Sequence, residues 1–264
     1  MHTSKLSPNN TTWGCSQCRC GGGKISSLNG TFDVGTIDLL IGGSPCQDFS
    51  RLNKTRAGLA GDKSSLFYEF LRIKNEANPH WFLLENVVMD AKDVALISEL
   101  LGVRPVKINS ALVSAQYRER LYWTNIGTLT HDLFGEPQIR IEPIKDRNIL
   151  AKDIIESGTT DRNKFLCLTA RCGGRWGDVW QNDKYKSPHY QKQFARRYAK
   201  AFDNCVFDNG FMRLLTTKEM RRLQTIPDWY NMDSLGWVDA ANLLGDGWTV
   251  EVIKHLFEPL QKTI

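Results

Sequence analysis

The sequence has no apolar run near the roughly 18 residues that a membrane-spanning helix needs. Its first residues, Met1-His2-Thr3-Ser4-Lys5, lack the apolar core of a secretory signal. Cysteines number seven, odd and unevenly spaced, so no disulfide framework is expected. Together these absences predict a cytoplasmic, reducing location. No internal repeat is visible. Cys15-Ser16-Gln17-Cys18-Arg19-Cys20 has the half-spacing of a zinc grip, but no Cys or His follows until Cys46. A tetrahedral site needs a second half, so no metal is expected.

What is present is a chain of 264 residues, 41% hydrophobic, long enough for one or two cores. Its net charge of +5 is unevenly distributed. Residues 140–222 hold 18 Lys and Arg against 10 Asp and Glu, while the rest holds 16 against 19. A basic segment beside a mildly acidic body points to a polyanion such as nucleic acid.

The pattern begins at Ile37–Ile41, a short apolar run that reads as a buried strand. Gly42 and Gly43 allow a sharp turn, and Pro45 keeps Ser44 extended. Cys46 is thereby offered at a strand's C-terminal end, where open α/β sheets place chemistry. It reads either as a nucleophile or as a buried structural thiol. Arg51-Leu52-Asn53-Lys54-Thr55-Arg56 reads as a polar loop, and a helix is expected from about Ser65. Trp81–Leu84 is a second strand, ending in Glu85-Asn86-Val87, and Ala91–Leu101 fits a helix. Val106–Val113 and Leu121–Ile126 follow as strands, and Asn29-Gly30 is a hairpin signal. Strands alternating with helices predict an α/β fold with a mostly parallel sheet. From Gly127 to Met212 the pattern dissolves into a basic stretch with interleaved aromatics, read as a small irregular lobe. Order returns with Thr216 and Glu219, spaced as a capping box. Leu244–Trp248 reads as a turn before a final amphipathic helix, which packs most economically on the sheet.

Glu85 and the cluster Gln116-Tyr117-Arg118-Glu119-Arg120 also lie at strand ends. A carboxyl near two guanidiniums and a thiol suits an electron-poor heterocycle. Each feature also has a plain reading: helix capping for Glu85, pairing with Glu119 for the arginines, burial for the thiol.

The ordered set Pro45-Cys46-Gln47, Glu85-Asn86-Val87, Gln116-x-Arg118-x-Arg120, Arg213 to Gln224 and Gly245 to Trp248 resembles the cytosine-5 DNA methyltransferase family. The match is nearest to the animal de novo enzymes and their phage and prokaryotic relatives, over about residues 37–126 and 213–260. The resemblance implies a Rossmann-like methyltransferase sheet, N-terminally incomplete here, and a target-recognition lobe. It divides the chain into 1–126, a catalytic core; 127–212, the target-recognition lobe; and 213–264, a segment returning to the core. It implies S-adenosylmethionine as cofactor and double-stranded DNA as partner. It assigns Cys46, Glu85, Arg118 and Arg120 to catalysis, and Leu66, Asp246 and Trp248 to the cofactor. Gln47, Ser50, Arg51, Asn53 and Lys54 become a loop closing on DNA, joined by Arg171 and Arg175 from the basic stretch. Asn86 is expected to fix the geometry of the Cys46 loop. A non-enzymatic DNA-binding relative and the family's tRNA-modifying branch are the alternatives.

One family feature has no counterpart upstream of Ile37: a glycine-rich first turn followed by a ribose-binding carboxylate. Those groups supply backbone donors and charge-assisted hydrogen bonds. Their lack should weaken S-adenosylmethionine binding by about a hundredfold to ten-thousandfold relative to a protein that carries them. Calorimetry on the 264-residue chain checks this; micromolar affinity would show that other residues rebuild the site.

Overall fold

A computed structural model describes residues 24–27, 29–44, 65–132, 137–168, 204–209 and 211–261. Its centre is a four-stranded sheet of β3 (Leu39–Gly43), β4 (Trp81–Val87), β5 (Val106–Asn109) and β7 (Glu119–Thr124), in the order β3-β4-β7-β5. Smaller strands surround it. They are the antiparallel pair β1 (Lys24–Ser27) and β2 (Gly30–Asp33), and the short β6 (Gln116–Tyr117), which pairs with β10 (Phe165–Leu166). Two further antiparallel pairs are β8 (Thr128–His131) with β9 (Pro137–Arg140), and β11 (Cys205–Asp208) with β12 (Phe211–Leu214). The helices are α1 (Ser65–Ala77), α2 (Ala91–Leu101), α3 (Thr217–Leu223), α4 (Trp237–Asp246) and α5 (Val250–Gln261).

β4 is central because its run Phe82-Leu83-Leu84 can be buried on both faces. Phe82 and Leu84 face one way, onto Phe67 and Phe70 of α1 and Ile97 and Leu101 of α2. Leu83 faces the other way, with Tyr122 and Ile108, onto Val252 and Leu256 of α5. This is the return of the final helix that its apolar face predicts. Glu85 lies two residues beyond Leu83 and so shares the α5 face. In register it stands beside Gly43 of β3 and opposite Tyr122 of β7.

β3, β4 and β5 point the same way, as a Rossmann-like sheet requires, and β7 runs against its two neighbours. The expected mostly parallel sheet holds in strand direction for three of its four strands, while the single reversed strand β7 leaves one of the three pairings parallel and two antiparallel. The cause is the short path from β5 to β7, too short for a helical crossover. That path also corrects the expected strand Val106–Val113. It ends at Asn109, whose side-chain oxygen caps a 3₁₀ turn over Ser110–Leu112. Among the described residues β3 forms an edge of the sheet, and its Ile41 is 45% exposed.

Two further differences lie after Gly127. The stretch read as irregular contains β8, β9 and β10 among its described residues. Leu244, read as the start of a turn, lies inside α4, whose Ala240, Ala241 and Leu244 pack against Met220 and Leu223 of α3. No helix among the described residues is long and apolar enough to cross a membrane.

The capping box forms as spaced. Thr216 Oγ1 accepts from the Glu219 amide at 3.1 Å, and Glu219 accepts from the Thr216 amide at 2.8 Å. Glu219 is fully buried and also holds Arg213 (2.8 Å) and the Glu156 amide (2.7 Å). Glu219→Ala therefore removes a cap and one of the two carboxylates on Arg213, which keeps Asp208 at 3.1 Å. A loss of about 2–4 kcal/mol is expected, read as a lower midpoint in urea denaturation; a loss under about 1 kcal/mol would contradict the network's role.

Candidate active site

A cleft of about 620 Å³ opens where β3 and β4 end. Gly43, Ser44, Glu85, Asn86, Arg118, Arg120 and Gly245–Trp248, the end of α4 with the residues that follow it, line it. Sheet register brings Gly43, Glu85, Asn86 and Arg120 together, and residues 245–248 close the far wall.

Glu85 is 9% exposed, and both of its oxygens are taken. Arg120 Nε lies 2.9 Å from Oε1, and Trp248 Nε1 donates to Oε2 at 3.2 Å. Burial pushes the Glu85 carboxyl above the usual range, while Arg120, Arg118 and Trp248 pull it back down. Burial prevails, so the proton is retained to higher pH than on an exposed glutamate. Tyr122 opposite is likewise pushed up, first by burial and then by the charge of Glu85. Gly43 lets the groups meet: a methyl group there would stand 3.1 Å from Glu85 Oε2 and 3.4 Å from Trp248 Nε1.

Arg118 is 3% exposed and its donors are turned onto the protein. Nη2 donates to the carbonyls of Gly245 (3.1 Å) and Gly247 (2.7 Å). Nη1 donates to the Leu168 carbonyl (3.1 Å) and contacts Cys167 Sγ (3.2 Å). Arg120 Nη1 donates to the Glu119 carbonyl at 2.8 Å, and Nη2 lies 3.6 Å from Cys167 Sγ. Neither guanidinium pairs with the Glu119 carboxylate; Glu119 instead lies 3.5 Å from Lys107. Asn86 Nδ2 donates to Ser44 Oγ (2.8 Å) and to its carbonyl (3.3 Å), fixing the last described residue before Cys46.

Beneath the cleft lies a buried polar network. Gln116 Nε2 donates to the Leu223 carbonyl (2.7 Å) and to Gln224 Oε1 (3.0 Å), and its Oε1 accepts from the Leu168 amide (3.2 Å). Thr249 Oγ1 donates to Gln224 Oε1 (3.0 Å), and Gln224 Nε2 donates to the Leu244 carbonyl. The network sets the height of the 245–248 turn. Sequence reasoning gave Gln224 and Thr249 no role. Buried amides and hydroxyls leave no periodic signal.

Of the residues expected at the site, Glu85, Arg118, Arg120, Asp246 and Trp248 meet in one cleft. Leu66 does not: it is 50% exposed on α1 and lines no part of that cleft. Cys46, Gln47, Ser50, Arg51, Asn53, Lys54, Arg171 and Arg175 lie outside the described residues, as do Cys15, Cys18 and Cys20. Among the described residues no cluster of His, Cys, Asp and Glu could hold a metal. S-adenosylmethionine fits only in part. Asp246 and Trp248 offer a carboxylate and a ring edge, but the indole N–H is committed to Glu85. No glycine-rich turn with a ribose-binding acid faces the cleft among the described residues.

Comparison with known proteins bears on this arrangement. A family model for C-5 cytosine-specific DNA methylase matches residues 17–92. The type II methyltransferase M1.ScrFI of Lactococcus lactis subsp. cremoris is 26% identical over 257 residues, covering 88% of this chain and 65% of that protein. M.SsoII of Shigella sonnei, also a type II methyltransferase, is 24% identical over 255 residues, covering 88% and 66%. The chain thus spans just under two thirds of the length of these relatives. Among solved structures, the methyltransferase EhMeth of Entamoeba histolytica superposes with a TM-score of 0.56 at 11% identity, over 84% of this chain and 78% of that one. That likeness is one of fold.

Arg118→Lys keeps the charge but not the planar fork that spans the Gly245 and Gly247 carbonyls on one side and the Leu168 carbonyl and Cys167 Sγ on the other. Stability should fall by about 2–4 kcal/mol, since buried carbonyls lose their donors. Thermal unfolding of the full chain measures this; an unchanged midpoint would refute the clamp.

Proposed function

Because the chain is a relative of the C-5 cytosine-specific DNA methylases, we propose that it methylates C5 of a cytosine flipped out of double-stranded DNA. The observation that carries this reading is the buried Glu85 carboxyl, held between Arg120 and Trp248 in a cleft at the C-terminal ends of β3 and β4.

The target base must leave the stack to present both faces. Cys46 follows Ser44 by two residues, a span of at most about 7 Å, and Ser44 lines the cleft. In this reading the Cys46 thiolate adds to C6, and the C5–C6 π pair shifts to make C5 nucleophilic. Glu85 holds a proton at the N3/N4 edge of the base, which drains charge as the sulfur adds. Its upward-shifted carboxyl suits that task, because a fully ionised carboxylate has no proton to offer. Arg120 turns an N–H toward the base's O2 and stabilises negative charge developing there. Arg118 stands behind it and keeps the cleft wall in place. S-adenosylmethionine, when bound, supplies the methyl group. Loss of the C5 proton then restores the double bond and expels Cys46.

Residues 1–126 and 213–264 form the catalytic body in this reading, and 127–212 recognise the target sequence. Gln47, Ser50, Arg51, Asn53 and Lys54 close on the DNA, and Arg171 and Arg175 meet its phosphates. The charge imbalance supports that division, because each phosphate contact releases counterions.

A duplex carrying 5-fluorocytosine tests the chemistry, because the fluorine cannot leave as the proton does. With millimolar S-adenosylmethionine, the chain should form a covalent adduct mapping to Cys46 by peptide mass. Cys46→Ser should abolish it, an alcohol being a far weaker nucleophile at neutral pH. An adduct at Cys167 or Cys172 would overturn the assignment of the nucleophile.

A further inference from the structure

The carboxyl of Glu85 has more order than catalysis by a lone acid demands. Its two oxygens are held by donors of different kinds from different elements: Arg120 Nε on β7 at Oε1, and Trp248 Nε1 before α5 at Oε2. We infer that Trp248 is a positioning residue for Glu85: its indole N–H fixes the carboxyl plane and leaves the open edge of that plane to the base. The inference rests on the reading of Glu85 as the base-binding acid, and it goes beyond the expectation that Trp248 serves a cofactor.

Three observations converge on it. Gly43 lies in register with Glu85, and a methyl group there would press on the carboxyl oxygen at 3.1 Å while only touching the indole nitrogen at 3.4 Å. The bare backbone thus leaves Oε2 where Trp248 reaches it. The turn that carries Trp248 is not free to drift, because Arg118 holds the carbonyls of Gly245 and Gly247. Thr249, the next residue, is 1% exposed and bonded to Gln224 and Ser110. A side chain merely filling space would not need its single polar atom aimed at a carboxylate from so rigid a base.

Among the described residues the groups facing Glu85 are few. β7 and the segment before it present Arg118, Arg120 and Tyr122, the 245–248 turn presents Asp246 and Trp248, and β3 presents no titratable group beside it. The Trp248 hydrogen bond is one of the influences that favour the charged form of Glu85 against burial. Its loss should let the carboxyl keep its proton to still higher pH.

The test is a carboxyl titration on the full chain. Glutamate labelled with ¹³C at the side-chain carboxyl gives one signal for Glu85, assigned by its disappearance in Glu85→Gln. Trp248→Phe keeps the ring's bulk without the N–H and should raise the midpoint by roughly one pH unit. Gly43→Ala, which presses on the Glu85 oxygen that the indole holds, should move it the same way. Either variant folded, with a midpoint unchanged or lowered, overturns the inference; loss of thermal stability alone, without a shift, marks Trp248 as packing only. The titration needs neither DNA nor methyl transfer. A shifted midpoint with no 5-fluorocytosine adduct would sink the methyltransferase reading and leave the positioning role standing. An adduct without a shift would do the reverse.

Discussion

The site depends on one guanidinium whose donors are spent on the protein around it. Arg118 is buried, and its nitrogens join three stretches distant in sequence: its own strand end, the Cys167–Leu168 segment and the Gly245–Gly247 turn. A guanidinium suits this position because its donors lie in one plane at fixed angles, so several carbonyls can be gathered at once. The opposite wall needs no such clamp. There Gly43, Glu85 and Tyr122 are placed by sheet register alone.

On that frame the cleft resolves a conflict between burial and charge. A glutamate at the end of a core strand would be costly if ionised and alone. Arg120 and Trp248 reduce that cost without cancelling it, so the carboxyl is held above the usual glutamate range. The same balance would be lost if Glu85 moved one residue along β4, because alternation would carry it to the face of α1 and α2. Strand period and acid chemistry are thus fixed by the same residue position.

Much of this was legible in the sequence where the signal is local. Trp81–Val87 and Ala91–Leu101 have the length and periodicity of their elements, and Thr216 with Glu219 spells a cap. Glu85, Arg118 and Arg120 were legible as a group because strand ends converge in an α/β sheet. The direction of β7 was not, because pairing direction depends on how the connection folds, and the Asn109-capped turn gives no periodic mark. The partner of Trp248 was hidden for a related reason. A residue near position 248 meets one near 85 only through tertiary packing, and family likeness pointed its ring to a cofactor instead.

The cleft's far wall, Gly245–Trp248, follows every strand of the central sheet in the chain, and this sets an order of events during synthesis. Ser110 bonds Thr249 across 139 residues, and Val252 and Leu256 cover Leu83 and Tyr122. Until residues 245–261 leave the ribosome, one face of the sheet stays bare and Arg118 has no carbonyls from that turn to grip. The nascent chain then carries an apolar sheet surface and a buried charge without its partners, a state prone to association with other chains. In that interval the cleft lacks the wall that carries Trp248, and Glu85 lacks one of its two hydrogen-bonding partners.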